Sequence, residues 1–322
     1  MTALRESLGY DALSRAAKSL WASLWGLARV LSGQGLGRAR GGLRVLLYHR
    51  VAPGVGSRLA VAPDDFRRQM QAVLTSGCRF LPLSQVPALL TSGASDLSRY
   101  VVVTFDDAYR DNLTRALPIL EELGVPAAVF AATRYADCPA PFPWFPDPVA
   151  DPDGVPLGWD GLRELAARGV DVESHGLSHA SLVSLSDDAV LEEFVTSAGD
   201  IERELRRRPV AFGYPYGHFT PATARLASVA GYACACTCLP GTNGPSTSPF
   251  ELRRTRVEGG DSLRVFQAAL GGAFDGLLPY RLREFIKKWL IPYRLREFIK
   301  KRLIPYRLRE FIKKRLKREG YS

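Results

Sequence analysis

Histidine is scarce in this chain: four residues in 322, His49, His175, His179 and His218, with none after position 218. That excludes a histidine-rich metal store and leaves a single small cluster as the place for imidazole chemistry. Cysteine is sparse too, at five residues, and three of them alternate over Cys234, Cys236 and Cys238. Alternate positions on a strand lie about 7 Å apart, too far for a disulfide within it. An odd count without framework spacing argues against a disulfide-stapled scaffold and for buried free thiols in a reducing compartment, with a metal site on the three alternating residues as the lower-ranked reading. Long apolar runs are also missing. The best stretch, Leu20 to Leu31, is short and carries Ser23 and Arg29, so it reads neither as a membrane span nor as a cleaved secretory signal. A cytoplasmic protein is the expectation. Leu13, Ala17, Leu20, Leu24, Leu27 and Leu31 instead form one helical stripe, expected either to pack on the domain or to lie at a membrane interface.

The net charge of +10 belongs to one end of the chain. Residues 279–322 hold 16 Lys/Arg against 4 Asp/Glu, leaving 27 against 29 for the rest, so the basic balance says nothing about an acidic substrate. Those residues are mostly a tandem repeat: Pro279–Ile291, Pro292–Ile304 and Pro305–Lys317 are three 13-residue basic amphipathic units. Aromatic and aliphatic residues opposite Arg and Lys suit an anionic membrane surface. Nucleic acid is the lower-ranked partner, because no recognition fold accompanies the charge. A recent duplication without function is the third reading.

The chemistry lies in the middle. Tyr100-Val101-Val102-Val103 is a short, β-branched run that reads as a buried parallel strand, and it ends in Thr104-Phe105-Asp106-Asp107-Ala108-Tyr109. A helix is expected over Asn112 to Leu123. Ser174-His175-Gly176-Leu177-Ser178-His179 closes a second predicted strand, Val170 to Glu173. In α/β folds the C-terminal ends of strands carry the chemistry. One Asp with two His is the ligand set of a catalytic divalent metal, and the second Asp remains for proton transfer.

These motifs, with Phe212-Gly213-Tyr214-Pro215-Tyr216-Gly217 and Leu252-Arg253-Arg254-Thr255-Arg256-Val257, resemble the polysaccharide deacetylases of the NodB-homology type, carbohydrate esterase family 4. The resemblance spans roughly Arg44 to Leu270. It implies an α/β fold, a distorted (β/α) barrel over 44–275, flanked by an N-terminal amphipathic helix and linker (1–43) and the basic repeats (279–317). It further implies Asp107, His175 and His179 as metal ligands, zinc first with cobalt or nickel as alternatives, and Asp106 as general base. Arg254 would orient that base, with Arg253 or Arg256 as alternatives, and the backbone N–H of Tyr216 would serve as oxyanion donor. Pro215, Tyr109 and Trp144 are expected at the substrate site. Two positions depart from the family pattern: Ala108 stands where Gly is usual, and Gly176 where Ser or Thr is usual.

The family's late Leu-x-His acid is missing. First and last strands of a barrel are neighbours, so His49, ending the run Val45 to Tyr48, is expected to supply that imidazole, while His218 reads as an exposed loop residue. The Pro-rich stretch from Tyr135 to Asp160 is expected to be irregular. Its Phe142, Trp144, Phe145 and Trp159 either stack on sugar or pack as a lid. The activity implied is metal-dependent removal of N-acetyl groups from an N-acetylated glycan, in envelope or exopolysaccharide assembly, with a lipid-linked or nucleotide-linked sugar as a suitable substrate. O-acetyl esterase activity and a non-catalytic glycan- or membrane-binding module are the alternatives.

Overall fold

The computed structural model describes residues 2–31, 41–53, 57–94, 96–137, 142–143 and 151–275. Trp144, Phe145, Cys138, residues 32–40 of the expected linker and the repeats over 279–317 lie outside them. Strands and helices alternate along the described chain. The main strands are β1 (Arg44–Tyr48), β2 (Tyr100–Phe105), β3 (Ala127–Ala131), β4 (Asp171–Ser174), β5 (Ala211–Gly213), β6 (Cys234–Cys236) and β7 (Arg254–Arg256). The helices are α1 (Thr2–Leu31), α2 (Pro63–Thr75), α3 (Val86–Thr91), α4 (Leu117–Leu123), α5 (Trp159–Ala167), α6 (Asp187–Leu205), α7 (Pro221–Val229) and α8 (Leu263–Leu270).

The seven strands pair in the order β7-β1-β2-β3-β4-β5-β6, every pair parallel. A parallel bridge from Cys236 to Leu252, just ahead of β7, joins the two ends. It is held by Leu252 N–H to Ala235 O at 2.9 Å and Thr237 N–H to Leu252 O at 2.8 Å. The sheet is thus a small, nearly closed barrel, and the first and last strands are neighbours.

Strand parity sorts the core. Val45, Val102, Ala128, Phe130, Ala211, Cys234 and Cys236 fill the lumen. Leu46, Tyr48, Val101, Val103, Phe105 and Val129 face outward onto Phe66, Met70, Leu117, Leu162 and Phe266 of the surrounding helices. Each such side chain contributes about 1.5–3 kcal/mol on leaving water. Cys234 and Cys236 are buried free thiols packed as small apolar groups.

Two elements differ from the sequence expectation. The segment Asn112–Ala116 is a π turn leading into α4, because Pro118 has no N–H for the carbonyl four residues back. Within the stretch expected to be irregular, α5 begins at Trp159, whose ring is buried against the barrel.

Candidate active site and metal centre

At the C-terminal mouth of the barrel, β2 runs straight into Asp106 and Asp107. Asp107 and Ala108 have φ of 73° and 53°, a left-handed conformation that costs a non-glycine residue about 1–2 kcal/mol. Asp106 N–H to Tyr48 O at 2.9 Å and Leu157 N–H to Ala108 O at 2.8 Å hold this turn. The reward is direction: consecutive carboxylates aim at different partners.

Asp106 meets Arg254. Its two oxygens accept from Nη1 at 2.6 Å and Nη2 at 2.8 Å, a bidentate pair. Arg254 also donates Nε to Thr237 O at 2.7 Å and lies over the Phe130 ring. Burial pushes Asp106 toward the protonated form, but the guanidinium, His175 and His49 outweigh it and hold the carboxyl far below the usual range. Arg253 and Arg256 are exposed and leave this role to Arg254.

Asp107 meets the histidines. Its Oδ1 lies 3.3 Å from His179 Nε2 and 3.7 Å from His175 Nε2, and all three ligand atoms fall within 4.8 Å of one another. Asp107 Oδ1 is buried with no hydrogen-bond partner. His175 Nδ1 lies 2.7 Å from Gly213 O. A carbonyl only accepts, so Nδ1 carries the proton and Nε2 presents its lone pair to Asp107. Burial lowers the His175 pKa to about 4, so the ring is neutral near pH 7. A lone pair facing a carboxylate oxygen in a buried site is the donor set of a divalent cation.

The loop carrying these histidines depends on residues that motif reading missed. Glu193 on α6 is buried and accepts from Leu177 N–H at 2.8 Å and Ser178 N–H at 3.0 Å, with Ser178 Oγ on its other oxygen. Gly176 adopts φ 84°, and a Cβ there would come within 2.9 Å of Glu193 Oε2. The departure from Ser or Thr therefore has a local steric reason. Gly213 is equally constrained, since its Cβ would lie 2.9 Å from His175 Nδ1. Glu193 lies on α6, beyond the loop it holds, so no local spacing announces it.

His49 follows β1, whose Tyr48 is in register with Phe105, so it stands beside Asp106. Its carbonyl accepts from Asn112 Nδ2 at 2.9 Å. The next residue, Arg50, donates Nε to Asp111 at 2.8 Å. Burial, then Arg256 and Arg254, lower the His49 pKa, against the opposing pull of Asp107 and Asp106. Tyr216 has φ 60° in the turn after Pro215, and its half-exposed ring packs edge-on against His179 at 4.7 Å. As the second residue of a three-residue helical turn, it has an N–H without an acceptor inside that turn.

Residues 94–235 match the family model described as polysaccharide deacetylase. Over that segment the chain is similar to the polysaccharide deacetylases. The Bacillus subtilis (strain 168) protein YxkH is 25% identical over 226 residues, covering 70% of this chain and 75% of that one. Among solved structures, the Streptococcus pyogenes deacetylase PplD in complex with acetate aligns with TM-score 0.62 and 22% identity, over 71% of this chain and 98% of that chain. IcaB from Ammonifex degensii aligns with TM-score 0.60 and 25% identity, over 74% and 98%.

Other expected site residues fall elsewhere. Tyr109 is 1% exposed, with its ring against Phe142 and the Arg50 guanidinium. The ring is thus packed between those two side chains. Phe142 is buried against Tyr109 and Tyr135, so it packs rather than stacks on sugar. His218 is exposed, with Nδ1 3.0 Å from Ser181 Oγ. Pro215 is buried beneath the Tyr216 turn.

Proposed function

We propose that this chain hydrolyses N-acetyl groups from an N-acetylated sugar with the help of one divalent metal. The observation that carries the reading is the convergence of Asp107, His175 and His179 beside the Asp106–Arg254 pair at the barrel mouth. Asp107 Oδ1 and the two Nε2 atoms would hold the ion, zinc by ligand type with cobalt or nickel as alternatives. A divalent ion bound there supplies an acidified water and polarises the acyl oxygen.

The chain's own groups do the rest. Asp106, kept ionised by Arg254, accepts the proton of the attacking water as its oxygen bonds the acyl carbon. The oxyanion that forms is met by the Tyr216 N–H, which the Pro215 turn holds in place. His49 gives its proton to the departing nitrogen as the C–N bond breaks, leaving acetate and a free amine. Arg254 acts through Asp106 and is a positioning residue.

The test is acetate release by the zinc-loaded protein from short N-acetylglucosamine oligomers and, in parallel, from an O-acetylated glycan. Faster release from the N-acetyl substrate supports the reading. Release from the ester alone selects an O-acetyl esterase, and release from neither, with glycan binding kept, selects a non-catalytic module.

The repeats over 279–317 support peripheral attachment to an anionic membrane, at roughly 1 kcal/mol per basic residue near the surface. Such attachment suits a lipid-linked sugar. Cell fractionation after neutralising the repeat Lys and Arg tests it: undiminished membrane recovery rejects the idea.

A further inference from the structure

Among the described residues, large exposed apolar side chains concentrate on one helix: Leu20, Trp21, Leu24, Leu27 and Leu31 are five of eleven. All five lie on α1. The helix is firmly docked by its opposite face. Lys18 Nζ pairs with Asp261 at 2.6 Å, Trp21 Nε1 donates to Ala273 O at 2.8 Å, and Ala22 and Trp25 pack with Val265, Ala268 and Ala273. Trp25 reaches so close to Gly271 that a Cβ there would lie 2.4 Å from the ring.

At 3.6 residues per turn, Leu20, Leu24, Leu27 and Leu31 are centred about 160° from the docking residues Lys18, Ala22 and Trp25. The charges are on the docked half: Lys18 is paired with Asp261, and Arg29 lies over the Trp25 ring. The outward face between residues 16 and 31 is Leu, Ala and Ser, with no charge. A docked surface helix ordinarily has the reverse arrangement, apolar inward and polar outward.

Two observations choose the occupant. Even the whole apolar stripe of the sequence, Leu13 to Leu31, spans only about 27 Å along one face of one helix. That is too small a patch to reach the roughly 1,000 Å² of a stable interface with a second copy. In addition, the described domain ends at Asp275, beside α1, two residues after the Trp21 contact, and the next 47 residues carry 16 Lys/Arg against 4 Asp/Glu. Apolar insertion from one element with basic residues from the next is the two-signal pattern of stable attachment to an anionic bilayer.

We propose that the outward leucine face of α1 is a membrane-docking surface that inserts at the headgroup boundary of an anionic phospholipid bilayer. This rests on the membrane reading of the repeats given above. It assigns a second, non-electrostatic element to the same attachment and fixes which side of the catalytic domain meets the lipid.

The test is co-sedimentation of the full chain with phosphatidylcholine vesicles containing about one-third phosphatidylglycerol, comparing wild type with Leu24→Glu/Leu27→Glu. Both leucines are more than half exposed, at 54% and 57%, so the pair is compatible with the fold. An unchanged melting temperature and unchanged acetate release from a soluble oligomer confirm that. Should the Glu pair unfold the protein, Leu20→Ser/Leu31→Ser takes its place. The expected result is vesicle binding by wild type and a loss of at least about tenfold in partitioning for the variant. Equal binding by both overturns the inference and leaves the repeat-based reading standing. Absence of binding by wild type overturns both. A wild-type dimer that the variant turns into a monomer, with vesicle binding unchanged, gives the face to a second copy instead.

Discussion

Replacing Arg254 by Gln tests the heart of the base assignment. Arg254 and Asp106 are 1% and 3% exposed, and the guanidinium supplies two donors to the carboxylate. Breaking a buried pair by removing one partner costs about 3–5 kcal/mol. The sign follows from the native balance. In the intact pair the folded pKa of Asp106 lies far below the unfolded value of about 3.9. Its contribution to stability is therefore complete above that value and is lost only as pH falls through the folded one. Without Arg254, burial raises the folded pKa above the unfolded value. The stability deficit of the variant then grows as pH rises through the raised pKa. The acid limb of the pH–rate profile moves upward in step, because the base is protonated over a wider range. Urea unfolding between about pH 5 and 8, paired with kcat across the same range, reads both effects. Arg254→Lys keeps the charge without the fork and falls between the two. A deficit independent of pH, with an unmoved acid limb, refutes the reasoning.

Three further outcomes are expected. His49→Ala lowers kcat by about 10²–10⁴ with metal content unchanged; as the proposed acid His49 would act protonated, so Arg256→Gln, which removes a charge that lowers its pKa, moves the alkaline limb upward. Unaltered turnover in His49→Ala rejects the assignment. Glu193→Gln weakens metal affinity by about 10–100-fold in a chelator competition, because the loop between the two histidines loses its charged anchor; an unchanged affinity assigns Glu193 to the fold alone. Ala108→Gly leaves stability within about 1 kcal/mol of wild type, relief at φ 53° offsetting backbone entropy, whereas Ala108→Val costs more than about 1–2 kcal/mol in a denaturant melt.

Local pattern carried the strands well. Tyr100–Phe105 is β-branched and short, and it emerges with those bounds because both faces are covered. Parity and barrel closure carried more: His49 meets the aspartates because β1 neighbours β2, and Arg254, rather than Arg253 or Arg256, reaches Asp106 because it alone points into the lumen at that height. What local pattern did not carry depended on distant partners. The role of Glu193 comes from α6 folding back on the histidine loop, and the burial of Tyr109 comes from Phe142 and Arg50, neither adjacent to it in the chain. The start of α5 at Trp159 was hidden by the prolines before it, although Gly158 opens the helix directly after them.

In the proposed reaction two adjacent carboxylates divide the labour, Asp107 holding the metal and Asp106 moving the proton. Metal stoichiometry and acetate release, measured together on wild type, Asp107→Ala and Asp106→Asn, test it most directly. One bound divalent ion is expected in wild type, loss of both ion and turnover in Asp107→Ala, and loss of turnover with the ion kept in Asp106→Asn. An ion retained with turnover in Asp107→Ala, or an ion lost in Asp106→Asn, would contradict it.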